Sequence, residues 1–288
     1  MLHNQWEKYP QPPFTKQHTV TGDVRLLRGV VGNGLVARDI YVYLPPRYEQ
    51  NAPKNVRYPV LYMQDGQNVF DDALSFMGEW GADETAERFA TASRERECII
   101  VAIPNAGADR MSEYSPWSRS SARGHLLGKG DAYLDFVVNT VKPIIDLSFR
   151  TRLQAAATGI AGSSLGGLIA LYAAITRPHL FGFCAALSPA IWFAFGQLDV
   201  LAHTSALAPN AQRPRFYLDM GWREGKSHTA EGIPVMVADT RRLRDILSAR
   251  GCEVQYVEDR AGRHNETYWR RRFPKALRLF LSSVSKQV

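Results

Sequence analysis

The run Thr158-Gly159-Ile160-Ala161-Gly162-Ser163-Ser164-Leu165-Gly166-Gly167 passes from a β-type segment into a helix through a bend built of glycine and serine. Ala156 to Ala161 reads as the strand, and Leu165 to Thr176, rich in Leu and Ala, as the helix. Gly162, Ser164 and Gly166 make a Gly-x-Ser-x-Gly string in the bend. A sharp strand-to-helix turn of this kind lifts the serine hydroxyl above the end of the sheet. Glycine at 162 and 166 removes side chains that would collide across so tight a turn. The helix N-terminus beneath Ser164 favours negative charge developing nearby. Ser163 is the poorer candidate, because no glycine stands two residues before it. The bland alternative is an ordinary Gly/Ser connection with no chemistry.

Outward from this bend, strand and helix alternate. Strand candidates are Tyr58 to Met63, Cys98 to Ile103, Cys184 to Leu187, Phe216 to Leu218 and Val254 to Val257. Helical spacing recurs near 82–95, 130–147, 235–250 and 267–284, the second carrying Tyr133, Phe136, Val137, Val141 and Ile144. Near-continuous apolar strands between helices predict a mostly parallel sheet covered on both faces. Val24 to Val31 and Leu35 to Leu44 flank Gly32-Asn33-Gly34, which predicts an N-terminal antiparallel hairpin and so a mixed sheet. Residues 1–18 are polar and proline-bearing, an extended arm. With no linker and no repeat, one domain over 1–288 is expected.

Composition narrows the classes. Hydrophobic residues make up 45% of the 288, enough for a sizeable core. No apolar run is long enough for a membrane span, and Met1 to Lys8 lacks the build of a secretory leader. The net charge of +7 is scattered. Its densest stretches, Arg241-Arg242-Leu243-Arg244 and Arg270-Arg271-Arg272, fall on helices and read as solvated faces, so neither nucleic acid nor a membrane is expected as partner. Cys98, Cys184 and Cys252 are odd in number and widely spaced, which suits free thiols and a cytoplasmic location.

A serine nucleophile needs a base, and the base an acid to orient it. The histidines after Ser164 are His179, His203, His228 and His264. His179 ends the helix that follows the bend, on the side away from the serine, and His203 lies in an irregular Ala/Pro-rich stretch. His264 sits in a loop after the last strand, where a parallel sheet gathers its active site. It is the favoured base, with His228 in reserve. For the acid, Asp219 and Glu224 both leave the Phe216–Leu218 strand; Glu224, in the following turn, is favoured and Asp219 is the alternative. Asp65, Asn68, Asp71 and Asp72 could be read as a metal cluster, but capping at a strand-to-helix turn is the expected role, and no metal is assigned.

Several ordered motifs carry a resemblance across residues 19 to 281. They are Tyr43 to Tyr48, Tyr62-Met63-Gln64-Asp65-Gly66-Gln67-Asn68, Gly162 to Gly167, Leu187-Ser188-Pro189-Ala190-Ile191-Trp192, Asp219 to Glu224, and His264 to Trp269. Together they resemble the esterase family that contains enterochelin esterases, S-formylglutathione hydrolase, and feruloyl and acetyl-xylan esterases. The resemblance implies an α/β-hydrolase fold and a serine esterase that needs no cofactor. It places the nucleophile on Ser164, the base on His264, the acid on Glu224, and oxyanion-binding N–H groups on Leu165 and Gln67. Gly221-Trp222-Arg223-Glu224 has tryptophan where the family usually has threonine, and Asp65-Gly66-Gln67 leans toward the siderophore-esterase branch.

The expected substrate is a small-molecule ester: siderophore-like, carbohydrate-linked or aryl. An acyltransferase or thioesterase on the same residues, or a non-catalytic binding protein on the same fold, are the alternatives. Trp117, Trp192 and Trp222, with Arg110, are expected to line an aromatic, basic groove, helped by Arg119 and Arg123 in the long 104–129 segment. The competing reading of the tryptophans is core-edge filling.

Overall fold

The computed structural model describes residues 6–11, 17–32, 34–49, 55–121, 124–207 and 213–285. Its strands and helices follow in the order β1 (Glu7–Tyr9), β2 (Asp23–Val30), β3 (Arg38–Leu44), β4 (Val60–Gln64), α1 (Ala82–Ala92), β5 (Ile99–Ile103) and α2 (Arg110–Glu113). A small hairpin comes next, β6 (Arg119–Ser121) with β7 (Gly124–Leu126), and then α3 (Gly130–Phe136) and α4 (Lys142–Ser148). The second half holds β8 (Thr158–Ser163), α5 (Leu165–Thr176), β9 (Phe183–Leu187), α6 (Gln197–Thr204), β10 (Arg215–Gly221), α7 (Val235–Ala249), β11 (Val254–Asp259) and α8 (Glu266–Ser285).

Nine strands form one sheet in the order β1-β2-β3-β5-β4-β8-β9-β10-β11. Pairings among β1, β2, β3 and β5 are antiparallel, and those from β5 through β4 to β11 are parallel. The mixed sheet with its leading antiparallel pair is as expected; Asn33, in the connection between that pair, lies outside the described residues. The arm contributes more than extension, because β1 pairs with the edge of β2.

Side chains alternate between two apolar layers. Val60, Tyr62, Ile99, Val101, Ile103, Cys184 and Ala186 face α3 to α7, while Leu61, Met63, Ile100, Ala102, Phe183, Ala185 and Leu187 face α1 and α8. Strands buried on both sides have little room for polar residues, which explains their unbroken apolar runs. Helix α5 is buried almost all round, so its Leu/Ala composition lacks an obvious polar face.

Two local departures have simple causes. The predicted 130–147 helix is interrupted by a π-turn at Val137–Val141, just before Pro143, whose missing N–H breaks the ordinary ladder. His203 is not in irregular chain but in the last turn of α6. Among the described residues, no helix is long and apolar enough to cross a membrane. Cys98, Cys184 and Cys252 are free and buried.

Candidate active site

Three neighbouring strands of the parallel region end in residues with unusual backbone. Asp65 after β4 has φ 54°, Ser164 after β8 has φ 55°, and Ser188 after β9 has φ 46°. Positive φ at a non-glycine residue costs about 1–3 kcal/mol and persists where the surroundings over-determine it. At Ser164 they do. Its N–H donates to Leu187 O at 3.2 Å, and its carbonyl accepts from Leu168 N at 3.1 Å and Ala190 N at 2.9 Å. The turn closes so tightly that a Cβ on Gly162 would lie 2.5 Å from the carbonyl carbon and oxygen of Gly166.

The loops after β10 and β11 are stitched together by backbone. Trp222 N–H donates to Asp259 O at 2.9 Å and Arg223 N–H to Gly262 O at 3.0 Å. That stitching carries Glu224 and His264 to the same point above the sheet. His264 Nε2 stands 2.9 Å from Ser164 Oγ, and Nδ1 stands 2.7 Å from Glu224 Oε2. The ring of His264 meets Trp269 edge-on, with centroids 5.0 Å apart.

Glu224 is buried, yet its other oxygen, Oε1, accepts from Ser188 Oγ at 2.7 Å and Gly221 N at 2.9 Å. Burial alone would raise its pKa. The hydrogen bond and charge of His264, with Ser188 and Arg272, outweigh burial and hold the carboxyl below its ordinary value. Asp219 is also fully buried, but its Oδ1 accepts from Ser188 N at 3.1 Å and stands 3.5 Å from Arg272 Nη1. Burial pushes its carboxyl up to about 7, against the opposing charge of Arg272. Of the two acids considered, Glu224 is the one at His264. His228 is exposed and turns toward Lys226 O, and His179 is exposed beyond α5.

Leu165 opens α5, so its N–H has no acceptor inside the helix. Gln67 lies in the turn after β4 and, like Ser164 and His264, lines a cleft of about 710 Å³. Leu74, Phe76 and Met77 form the apolar wall of this cleft, and Phe76 is 87% exposed. The segment bearing that wall is anchored at Asp71. The Asp71 carboxylate accepts from Tyr9 Oη at 2.6 Å and Thr19 N at 3.2 Å, and meets His18 Nδ1 at 2.6 Å.

Of the four residues expected in an aromatic, basic groove, the cleft lining includes Arg110 alone. The three tryptophans lie outside that lining, each held by other partners. Trp222 donates to Glu258 at 2.7 Å, with Arg260 stacked 3.4 Å over its ring. Trp117 packs on Tyr172 at the core edge, and Trp192 is half-exposed beside Phe193. Nor is the cleft basic. Arg110 makes a two-pronged pair with Asp65, Nε to Oδ1 at 2.6 Å and Nη2 to Oδ2 at 2.8 Å, so its charge is answered. Arg119 lies over Phe193, and Arg123 is outside the described residues.

The acidic run after β4 does not serve the capping role expected of it. Asp65 occupies the cap position without a capping hydrogen bond and is spent on Arg110 and Asn105. Asn68 donates to Glu266 at 3.1 Å, and Asp71 holds the N-terminal arm. Among the described residues no cluster of potential metal ligands occurs.

Sequence reading missed Ser188 and Arg272. Ser188 lies in the Leu187-to-Trp192 motif, where residue type alone gives it no role. Arg272 belongs to the Arg270-Arg271-Arg272 run, whose charge density suggests a solvated face, whereas it is 3% exposed and faces Glu224. Its signal is helical phase: Trp269, Phe273 and Ala276 mark the buried side of α8, and 272 lies on it.

A family model described as "Putative esterase" matches residues 37–280. Among curated proteins, the uncharacterized protein YbbA of Bacillus subtilis is 25% identical over 250 residues, 83% of this chain and 91% of that one. The siderophore triacetylfusarinine C esterase of Aspergillus fumigatus is 34% identical over 162 residues, 54% of this chain and 51% of that one, so the match spans about half of that relative. The solved structure of a siderophore hydrolase from Aspergillus nidulans superposes with a TM-score of 0.67 at 20% identity, over 92% of this chain and 95% of that one. A ferulic acid esterase gives 0.67 at 17% identity, over 90% and 99%. At these identities the likeness is one of fold, and the fold is that of the α/β-hydrolases.

Proposed function

The chain belongs to this esterase family, and from that premise we propose that it hydrolyses a carboxylic ester through an acyl-enzyme on Ser164. The observation that carries the reading is the relay of Ser164 Oγ, His264 and Glu224, with steps of 2.9 Å and 2.7 Å. Glu224, ionised and held from behind, accepts the Nδ1 proton of His264. That leaves Nε2 with its lone pair toward Ser164. As Oγ attacks the ester carbonyl, Nε2 takes the hydroxyl proton, and it then delivers that proton to the departing alcohol. Water repeats the sequence and frees the acid. The N–H groups of Leu165 and Gln67 receive the oxyanion; loss of one such donor typically costs about 2.7–4 kcal/mol.

The substrate is an uncharged ester with an apolar or aryl part resting on Phe76 and Met77. Two features support this: the exposed apolar wall and the pairing of Arg110 with Asp65, which leaves no unpaired arginine or lysine among the described residues lining the cleft. Siderophore esters fit, since the Aspergillus relatives carry siderophore esterase and hydrolase names. Hydrolysis of p-nitrophenyl butyrate, together with covalent labelling of Ser164 by a fluorophosphonate, tests the reaction. Turnover retained by Ser164→Ala would overturn it.

A further inference from the structure

Behind the relay lies a buried cation that the reaction sequence above does not use. Arg272 projects from α8 into the space between the ends of β9 and β10. Its Nη2 donates to Ser188 Oγ at 2.8 Å and stands 3.4 Å from Glu224 Oε1, while Nη1 stands 3.5 Å from Asp219 Oδ1. Trp269, one turn earlier on the same helix, donates from Nε1 to the same Ser188 Oγ at 3.0 Å. Ser188 therefore receives two N–H groups and has its own proton left for Glu224 Oε1, at 2.7 Å. The direction of that hydrogen bond is fixed by the donors behind it.

The charges do not cancel one for one. Glu224 and Asp219 are both buried, and Arg272 is the one arginine paired with either among the described residues. The groups facing Glu224 are His264 from the turn before α8, Arg272 from α8, Asp219 from β10 and Ser188 after β9, with Tyr217 beside Asp219. A guanidinium is suited to this place because its fork reaches several oxygens at once and keeps its charge when buried.

We propose that Arg272 is a positioning residue for the hydrolysis: by orienting Ser188 it fixes one oxygen of Glu224, and its charge offsets the negative charge behind His264. The inference rests on Ser164, His264 and Glu224 carrying the reaction. Without the cation, Glu224 loses one of the charges that hold it ionised and protonates more readily, which disables its partner base at higher pH than in the parent.

The test is kcat/KM against pH for p-nitrophenyl acetate, normalised to sites titrated with a fluorophosphonate. It compares the parent with Arg272→Met, Arg272→Lys, and Asp219→Asn combined with Arg272→Met. The double variant removes both charges, so no lone carboxylate is left at 219, and it decides the matter should Arg272→Met fail to fold. In Arg272→Met the acid limb moves up by about half a pH unit or more, and in the double variant, which also loses the carboxylate at 219, it returns toward the parent. In both, kcat per titrated site falls roughly tenfold with KM unchanged, because Ser188 is no longer oriented. Arg272→Lys keeps the parent limb and recovers part of kcat. Variants that keep the parent limb and the parent kcat per site, losing only titratable sites, would reduce Arg272 to a structural role and overturn the proposal. A parent that is not labelled at Ser164 would overturn the underlying reaction and this inference with it, an outcome distinct from a labelled parent whose variants do not shift.

Discussion

His264 Nδ1 and Glu224 Oε2 lie 2.7 Å apart, one on a ring that is about a third exposed and the other on a carboxylate with no exposure at all. The pair is open to solvent at the imidazole and dry at the carboxylate.

Removing the reacting groups should act as a unit. Ser164→Ala and His264→Ala are each expected to lower kcat by roughly 10⁴-fold to 10⁶-fold, and the double variant should lose little more. Steady-state hydrolysis of p-nitrophenyl butyrate, with circular dichroism to show intact folding, checks this.

The two buried acids should separate by what they affect. Glu224→Gln is expected to lower kcat by about 10²-fold to 10⁴-fold, because the wrong imidazole tautomer is then favoured. Asp219→Asn should change kcat far less and alter the pH dependence of stability instead. The Asp219 carboxyl is raised from the ordinary 3.8 to about 7. The stability this gives is present below 3.8 and lost as pH rises through about 7. Urea midpoints of Asp219→Asn should therefore gain on the parent between those values and hold a constant difference above them. Glu224 has the opposite sign: its depressed pKa gives stability above the ordinary carboxyl range that is lost as the solution is acidified through the folded value.

The cleft wall should govern affinity rather than fold. Phe76→Ala with Met77→Ala is expected to raise KM for an aryl ester about fivefold, roughly 1 kcal/mol of lost apolar contact. Stability should stay within about 0.5 kcal/mol, because both side chains are exposed. An aryl ester carrying a free carboxylate should be the poorer member of a matched pair. Michaelis constants and thermal unfolding together check both statements.

Gly162→Ala tests the bend itself. With backbone of Gly166 at 2.5 Å, a methyl group forces the turn open. The expected cost is about 1–3 kcal/mol or more, with Ser164 displaced. Thermal unfolding and the rate of fluorophosphonate labelling should fall together.

Much of this arrangement was legible in sequence because the bend, the strands and the last loop each follow a local rule. Gly162, Ser164 and Gly166 sit in a pattern that only a tight strand-to-helix turn requires, and the buried strands can hardly be polar. What escaped depends on partners distant in the chain. Glu7–Tyr9 has no pattern of its own and becomes a strand only because Leu26, Arg25 and Val24 offer an edge. The tryptophans were expected at the site for their chemistry, but Arg260 and Glu258 claim Trp222 first. Arg272 looked like one more surface charge until its helical phase met two carboxylates from another part of the chain.

The grip of Tyr9, His18 and Thr19 on Asp71 makes the amino-terminal residues part of the machinery that shapes the mouth of the cleft. Editing that end, by trimming or by fusing a tag against it, would loosen the segment that presents Phe76 and Met77 while leaving Ser164 untouched. Ester preference could then drift between preparations whose reacting groups are identical.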